Sequence, residues 1–359
     1  RVSRYGLIAF ASSLDCPGPV ARDVKDAAAM LGVIAGSDER DATAARLAVP
    51  DYLEGIEEGV KGLRIGLSPD YFRITYPDPV SGELLSQPLP EEVARAVTEA
   101  AEKLSAMGAD IVEGVPMPNT RFGIPAYFVI SRVEAASNLH RYDGVKYGLR
   151  SEAPTADLKE MYKITRNQGF GPQPKLRILM GMYVSAAQYS EQYYRRALQV
   201  RTLIRQDFEA IFDPAGAYRL DALLTPTTPT TAFKMAALYG DSVLMQYADQ
   251  LTVPANHAGV PGISLPAGLD NEGLPIGIQL LGADYAEKTL FRAARAIVRN
   301  DSEAEDVVQA AYVAAFTHLA DFRDEAGFST VSRSRYAGSA RSSSVVGGSM
   351  PCSANQAMS

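Results

Sequence analysis

Four polar residues stand close together just ahead of two short apolar runs: Asp249, Thr252, Asn256 and His257. An acid, a hydroxyl, an amide and an imidazole in one short stretch are the groups from which a polar ligand site is built. The plainer alternative for Asp249 is that it caps a helix or a turn. Far upstream, Ser12 and Ser13 offer hydroxyls of the kind that serve as nucleophiles. Metal chemistry is poorly supported, since the three histidines and two cysteines do not cluster as a zinc site requires.

The elements that must position these residues can be read from local signals. Val260 to Pro266 and Leu274 to Leu281 are apolar runs bounded by Pro and Gly, with Asp270-Asn-Glu-Gly273 between them, which predicts two strands joined by a tight turn. The unbroken run Ile276 to Leu281 suits a sheet covered on both faces. Asp249 to His257 would then lie where loop meets strand, the place where open α/β sheets hold their ligands. Upstream, Gly62 to Leu67 reads as a strand. Pro90 opens a helix with Val93, Val97, Ala100 and Leu104 on one face and Gly108 as its stop, and Ala109 to Val112 reads as the next strand. That β-α-β order predicts at least a partly parallel sheet. Further helices are expected over Val20 to Ala35 and Gln188 to Phe212, a buried strand within Asp221 to Pro229, and an exposed loop between Asp70 and Leu89.

At 359 residues the chain can bury a substantial core in one large domain or two. Its composition, 47% hydrophobic and 21% charged, is that of a globular protein, and a net charge of -7 argues against nucleic acid held over a broad surface. Cys16 and Cys352 form no disulfide framework, which fits a reducing cytoplasm. No apolar run reaches membrane-spanning length. The chain begins at Arg1 and reads as a piece of something longer.

The stretch Pro254-x-Asn-x-Ala-Gly-x-Pro-Gly-Ile-Ser-x-Pro266, followed by Gly273-Leu-Pro-Ile-Gly-Ile-Gln279, resembles the C-terminal half of the amidase-signature enzymes. Within that family it is most similar to the A subunits of glutamyl-tRNA(Gln) amidotransferases, as are Tyr127 to Gly148, Asn167 to Gly171 and Lys175 to Ile178. The resemblance implies an α/β amidase-signature fold, a mixed and largely parallel central sheet covered by helices on both faces, shortened at its N-terminus. It also implies a glutaminase that supplies ammonia to transamidate Glu-tRNA(Gln) in the cytoplasm. The expected partners are the B and C subunits, with tRNA met only through the partner subunit, which would use ATP and magnesium. No cofactor is expected in this chain.

In that family two serines and a lysine do the chemistry, and Ser12 and Ser13 match none of those positions, so no catalytic residue is assigned to this chain. Three pocket residues carry over by position: Arg177 for the substrate carboxylate, Asp249 for its ammonium and Tyr127 as a wall of the same pocket. The alternative within the family is a stand-alone hydrolase of small amides.

The resemblance covers residues 1 to 295 and then changes character. Residues 296 to 330 resemble region 2 of an extracytoplasmic-function sigma factor, with Ala304, Val308, Ala311, Ala315 and Leu319 on one helical face, although Val331 stands where a tryptophan is usual. This raises the alternative of a polymerase-binding fusion, against which stands the lack of a basic DNA-contacting helix. Residues 331 to 359, rich in Ser, Gly and Ala, are expected to be a disordered tail.

Overall fold

The computed structural model describes residues 1–78, 81–234, 245 and 247–298. The sigma-like segment beyond residue 298 and the tail expected over 331–359 lie outside the described residues.

A five-stranded sheet runs through the middle, in the order β4-β1-β5-β7-β6. β1 (Arg64–Leu67) pairs in parallel with β4 (Asp110–Val112) on one side and with β5 (Ala222–Pro226) on the other. β7 (Pro275–Leu281) joins β5 antiparallel and carries β6 (Gly262–Leu269) on its far side, again antiparallel. The β-α-β unit is present as expected. Its helix α2 (Glu91–Ala106) starts after Pro90, carries Glu91 and Glu92 in the first turn, and buries Val93, Val97, Ala100 and Leu104. The chain then turns at Gly108, whose φ of +94° favours glycine, and enters β4. The turn at the β6–β7 hairpin is closed by Asp270, whose carboxylate accepts from the backbone N–H groups of Glu272 and Leu274, both at 2.8 Å.

All five residues of β5 are buried, and their alternation splits the core. Ala222 and Leu224 face the cluster formed with α1 (Val24–Ile34), α2 and the last helix, α8 (Glu287–Ile297). Leu223 faces the opposite cluster, where Ile204, Phe208 and Ile211 of α6 (Arg196–Phe212) pack. Both sheet faces are therefore covered by helices. In α8 the apolar face includes Ala296 and Ile297, so the body of the fold runs to the end of that helix, and the Ile297 carbonyl accepts from Lys103 Nζ at 2.6 Å.

Two elements differ from expectation. The N-terminal helix begins at Val24, not Val20, because Asp23 caps it by accepting from the Asp26 N–H at 2.9 Å; Val20, 91% exposed, stays outside. The loop expected between Asp70 and Leu89 contains an antiparallel pair, β2 (Arg73–Pro77) with β3 (Leu84–Pro88). The pair is closed by the Asp78 N–H donating to the Glu83 carbonyl at 2.7 Å, and β3 is exposed along its whole length.

Beyond the sheet lies a layer of helices: α3 (Gly123–Leu139), α4 (Leu158–Gly169) and α5 (Pro172–Ser185). The long helix expected to start at Gln188 begins as a wide π turn, Glu191–Arg195, that runs directly into α6. α5 presses on α3 so closely that a Cβ at Gly181 would lie 2.0 Å from the Arg132 carbonyl oxygen. Only glycine permits that approach.

Candidate functional site

The site grows from the segment ahead of β6. Asp249 opens it through its backbone: its carbonyl accepts from the N–H groups of Thr252 at 3.1 Å and Val253 at 3.0 Å, starting the short helix α7 (Val253–Ala258). The N-cap position of α7 is Thr252, and the Asp249 carboxylate takes no hydrogen bond among the described residues. The rest of the segment is pinned. Gln250 Oε1 accepts from the buried Thr75 N–H at 2.7 Å, which ties it to β2. Gln279 of β7, itself buried, donates through Nε2 to the Leu251 carbonyl at 2.8 Å and to the Pro226 carbonyl at 3.2 Å. Gly259, with φ of +75°, ends α7 and turns the chain into β6.

Two bonds from α7 fasten the other walls. Asn256 Nδ2 donates to the Leu14 carbonyl at 3.1 Å and fixes the N-terminal segment. His257 Nε2 meets the Gly123 carbonyl at 2.9 Å, at the start of α3. The imidazole is buried and therefore neutral; burial pushes its pKa down to about 4, and the Arg201 charge adds to the fall. Ser12 and Ser13 are engaged in the same framework. The Ser12 hydroxyl accepts from Asn138 Nδ2 at 2.8 Å, while Ser13 donates to Glu134 Oε1 at 2.5 Å and accepts from Arg201 Nη1 at 2.7 Å. Ser12 joins the N-terminal segment to α3, and Ser13 joins it to both α3 and α6.

These ties enclose a cleft of about 220 Å³, and Leu14, Asp15, Tyr127, Asp249, Thr252 and Asn256 are among its walls. The structure therefore brings Tyr127 and Asp249 together. Asp249 stands at the mouth, yet enough protein surrounds its carboxyl to raise its pKa by desolvation. Arg177 is not one of the cleft residues. It lies on α5, half-buried, with Nη1 3.3 Å from Gln173 Oε1. Its charge is felt by Arg132 of α3, and Arg132 in turn lies 5.8 Å from the ring centroid of Tyr127. Sequence reasoning missed Phe10, Leu14 and Asp15 among the cleft walls, Gln279 behind the Asp249 turn and Arg132 beside Tyr127. The available signal for Arg132 was a single charge inside the apolar run Tyr127 to Val133.

A larger depression, about 430 Å³ between α1 and residues 49–53, is lined by small and apolar groups with Asp51 and holds none of the expected site residues. Among the described residues no group of three or more His, Cys, Asp or Glu could hold a metal, and no helix is long and apolar enough to cross a membrane.

The fold is thus of the α/β class, a mixed sheet covered by helices on both faces with a polar cleft at the entry to the β6–β7 hairpin. The family model described as Amidase matches residues 1–291, and the chain belongs to that family. A second model, Sigma-70 region 2, matches residues 285–331. The A subunit of the glutamyl-tRNA(Gln) amidotransferase from Acidobacterium capsulatum is 49% identical over 298 residues, which is 83% of this chain and 58% of the relative. That of Moorella thermoacetica is 47% identical over 296 residues, 82% of this chain and 56% of the relative. The solved structure of the corresponding A subunit from Thermotoga maritima is 35% identical with a TM-score of 0.62, covering 83% of this chain and 56% of that one. A bacterial aryl acylamidase of the amidase-signature family, 22% identical with a TM-score of 0.57, has the same fold over 82% of this chain and 55% of its own. The chain thus spans a little over half the length of the relatives it matches.

Proposed function

We propose that this chain is the amino-acid-holding part of a glutamine-hydrolysing A subunit of a glutamyl-tRNA(Gln) amidotransferase. The observation that carries the reading is the convergence of Tyr127 and Asp249 on one cleft within a chain 49% identical to such a subunit. In this reading the ionised Asp249 accepts hydrogen bonds from the α-ammonium of glutamine, Arg177 clamps the α-carboxylate, and Tyr127 forms the wall along which the side-chain amide extends. Water and the amide then give glutamate and ammonia. The ammonia passes to a B subunit that uses ATP and magnesium and holds the tRNA, with a C subunit completing the assembly in the cytoplasm. The two serines and the lysine of the reaction are assigned to the part of the relatives that this chain does not span, and none of the described serines is given that role.

The test is calorimetric titration of the full chain with glutamine and with butyramide, which lacks both charged groups. Asp249→Asn is expected to weaken glutamine binding roughly tenfold or more, the worth of a charge-assisted hydrogen bond, and to leave butyramide unchanged. Because burial raises the Asp249 pKa, glutamine affinity should also fall as pH drops, starting at a higher pH than an ordinary aspartate would give. Equal glutamine binding by wild type and Asp249→Asn would sink the reading.

A further inference from the structure

Arg132 is an arginine in the wrong place for a structural one. It sits on α3 in the run Tyr127 to Val133, and only 7% of it reaches solvent. Nη1 donates to the neighbouring Ser131 Oγ at 2.8 Å, and the guanidinium lies 4.1 Å from the ring centroid of Phe128. Nε is buried without a partner. Among the described residues no ion pair includes Arg132. Arg166 and Arg201 also lack carboxylates, but they give N–H groups to backbone carbonyl oxygens. Arg132 reaches no backbone carbonyl among the described residues; its compensation is the Ser131 hydroxyl, the Tyr127 phenol and the Phe128 ring, none of them an anion.

Its surroundings make matters worse. The charge of Arg177 acts on it, and both this and burial, the larger cause, push its pKa below the ordinary arginine value, with the Tyr127 phenol opposing them. The backbone offers no retreat, since α5 is pressed against the Arg132 carbonyl at Gly181. A buried, under-bonded cation beside another cation is costly until an anion arrives. Its neighbour Tyr127, with the ring centroid 5.8 Å from the guanidinium, lines the cleft containing Asp249.

We infer that Arg132 is a specificity-determining residue, a second guanidinium for the substrate carboxylate, which acts with Arg177 so that the site takes amides carrying a carboxylate and passes over those without one. One carboxylate has two oxygens and about four lone-pair positions, enough for two guanidinium groups. Charges then alternate along the ligand: its carboxylate with the arginines, its ammonium with Asp249. The inference rests on the amino-acid reading above.

The experiment separates the two ends of the ligand. The full chain and its Arg132→Met, Arg132→Lys and Arg177→Met variants are titrated with glutaramate, which keeps the carboxylate and amide but has no ammonium. They are also titrated with 4-aminobutyramide, which keeps the ammonium and amide but has no carboxylate. Arg132→Met is expected to weaken glutaramate roughly tenfold and to leave 4-aminobutyramide unchanged, with Arg132→Lys recovering part of the loss. Ligand-free Arg132→Met should melt no lower than wild type, because it removes a buried charge that has no ion-pair partner among the described residues. Glutaramate binding unaltered in Arg132→Met but weakened in Arg177→Met overturns the role of Arg132 and leaves the amino-acid reading standing. Equal losses for both ligands, or a lower melting temperature of the ligand-free variant, make the arginine structural and overturn the inference. Wild type that binds glutaramate no better than butyramide removes the carboxylate subsite itself, and the amino-acid reading with it.

Discussion

A carboxylate can hold an ammonium only if its own position is paid for elsewhere, and for Asp249 that task falls to neighbouring amides. Its side chain is left open to a ligand because the turn that carries it is secured through Gln250 and Gln279. Gln279 is the more telling of the two. It points from a buried strand and uses one amide nitrogen to satisfy two carbonyls, Leu251 in the Asp249 turn and Pro226 at the end of β5. Gln279→Leu keeps the volume similar, takes the donor from the Leu251 carbonyl in a dry interior and leaves Pro226 with the 3.3 Å bond from Thr225 Oγ1. We expect a destabilisation of about 2–4 kcal/mol in denaturant unfolding, together with weaker glutamine binding as the turn loosens. An unchanged unfolding midpoint would show that these two bonds do not hold the turn.

At the scale of elements, the site depends on α7 docking against the start of α3. The contact is a neutral, buried His257 bonded to the Gly123 carbonyl. Its pKa is about 4 in the fold against 6.5 for a free histidine, so the unfolded chain binds the proton more tightly than the folded one. The resulting stability is complete above pH about 6.5 and is lost progressively as pH falls toward about 4. The two values together correspond to roughly 3 kcal/mol at most. Thermal melting followed across that window should show the decline. His257→Gln, which retains an N–H donor at a similar reach but does not titrate, should flatten it. Parallel declines in wild type and variant would assign the acid sensitivity to other groups.

At the scale of the whole molecule, the chain supplies a sheet, two helical covers and a pocket wall. It spans 58% and 56% of the length of two of its relatives. Part of the N-terminal segment of the described structure is apolar and open to solvent, at Leu7, Ile8 and Val20. In the proposed reading the two serines and the lysine lie in the part of the relatives that this chain does not span, and removing a nucleophile and its proton carriers from a serine hydrolase costs several orders of magnitude in rate. The full chain is therefore expected to release no measurable ammonia from glutamine. Addition of the portion of the Acidobacterium capsulatum relative that this chain does not span should restore release. Turnover by the chain alone would place a nucleophile among the residues in hand and return Ser12 and Ser13 to consideration.

What the sequence determined by itself is what short-range chemistry specifies. Pro90 and Gly108 bracket α2, the Asp270 to Gly273 turn joins β6 to β7, and the apolar run at Ala222 to Pro226 reads as a buried strand, because each signal is complete within a few residues. The family resemblance added Tyr127, Arg177 and Asp249 as names without positions. Only the tertiary structure decided that β1 lies between β4 and β5, that Arg73–Pro77 pairs with Leu84–Pro88 where a loop was expected, and that α1 waits for Asp23. Those outcomes depend on pairings and caps that compete with equally plausible local ones. The same holds for the site. Whether Arg132 is an ordinary surface charge or a buried cation next to Arg177 depends on how closely α5 approaches α3, and that approach is set by a glycine, Gly181, on the other helix. Desolvation is a property of everything packed around a group, and the residues that surround Arg132 and Asp249 are drawn from separate parts of the chain.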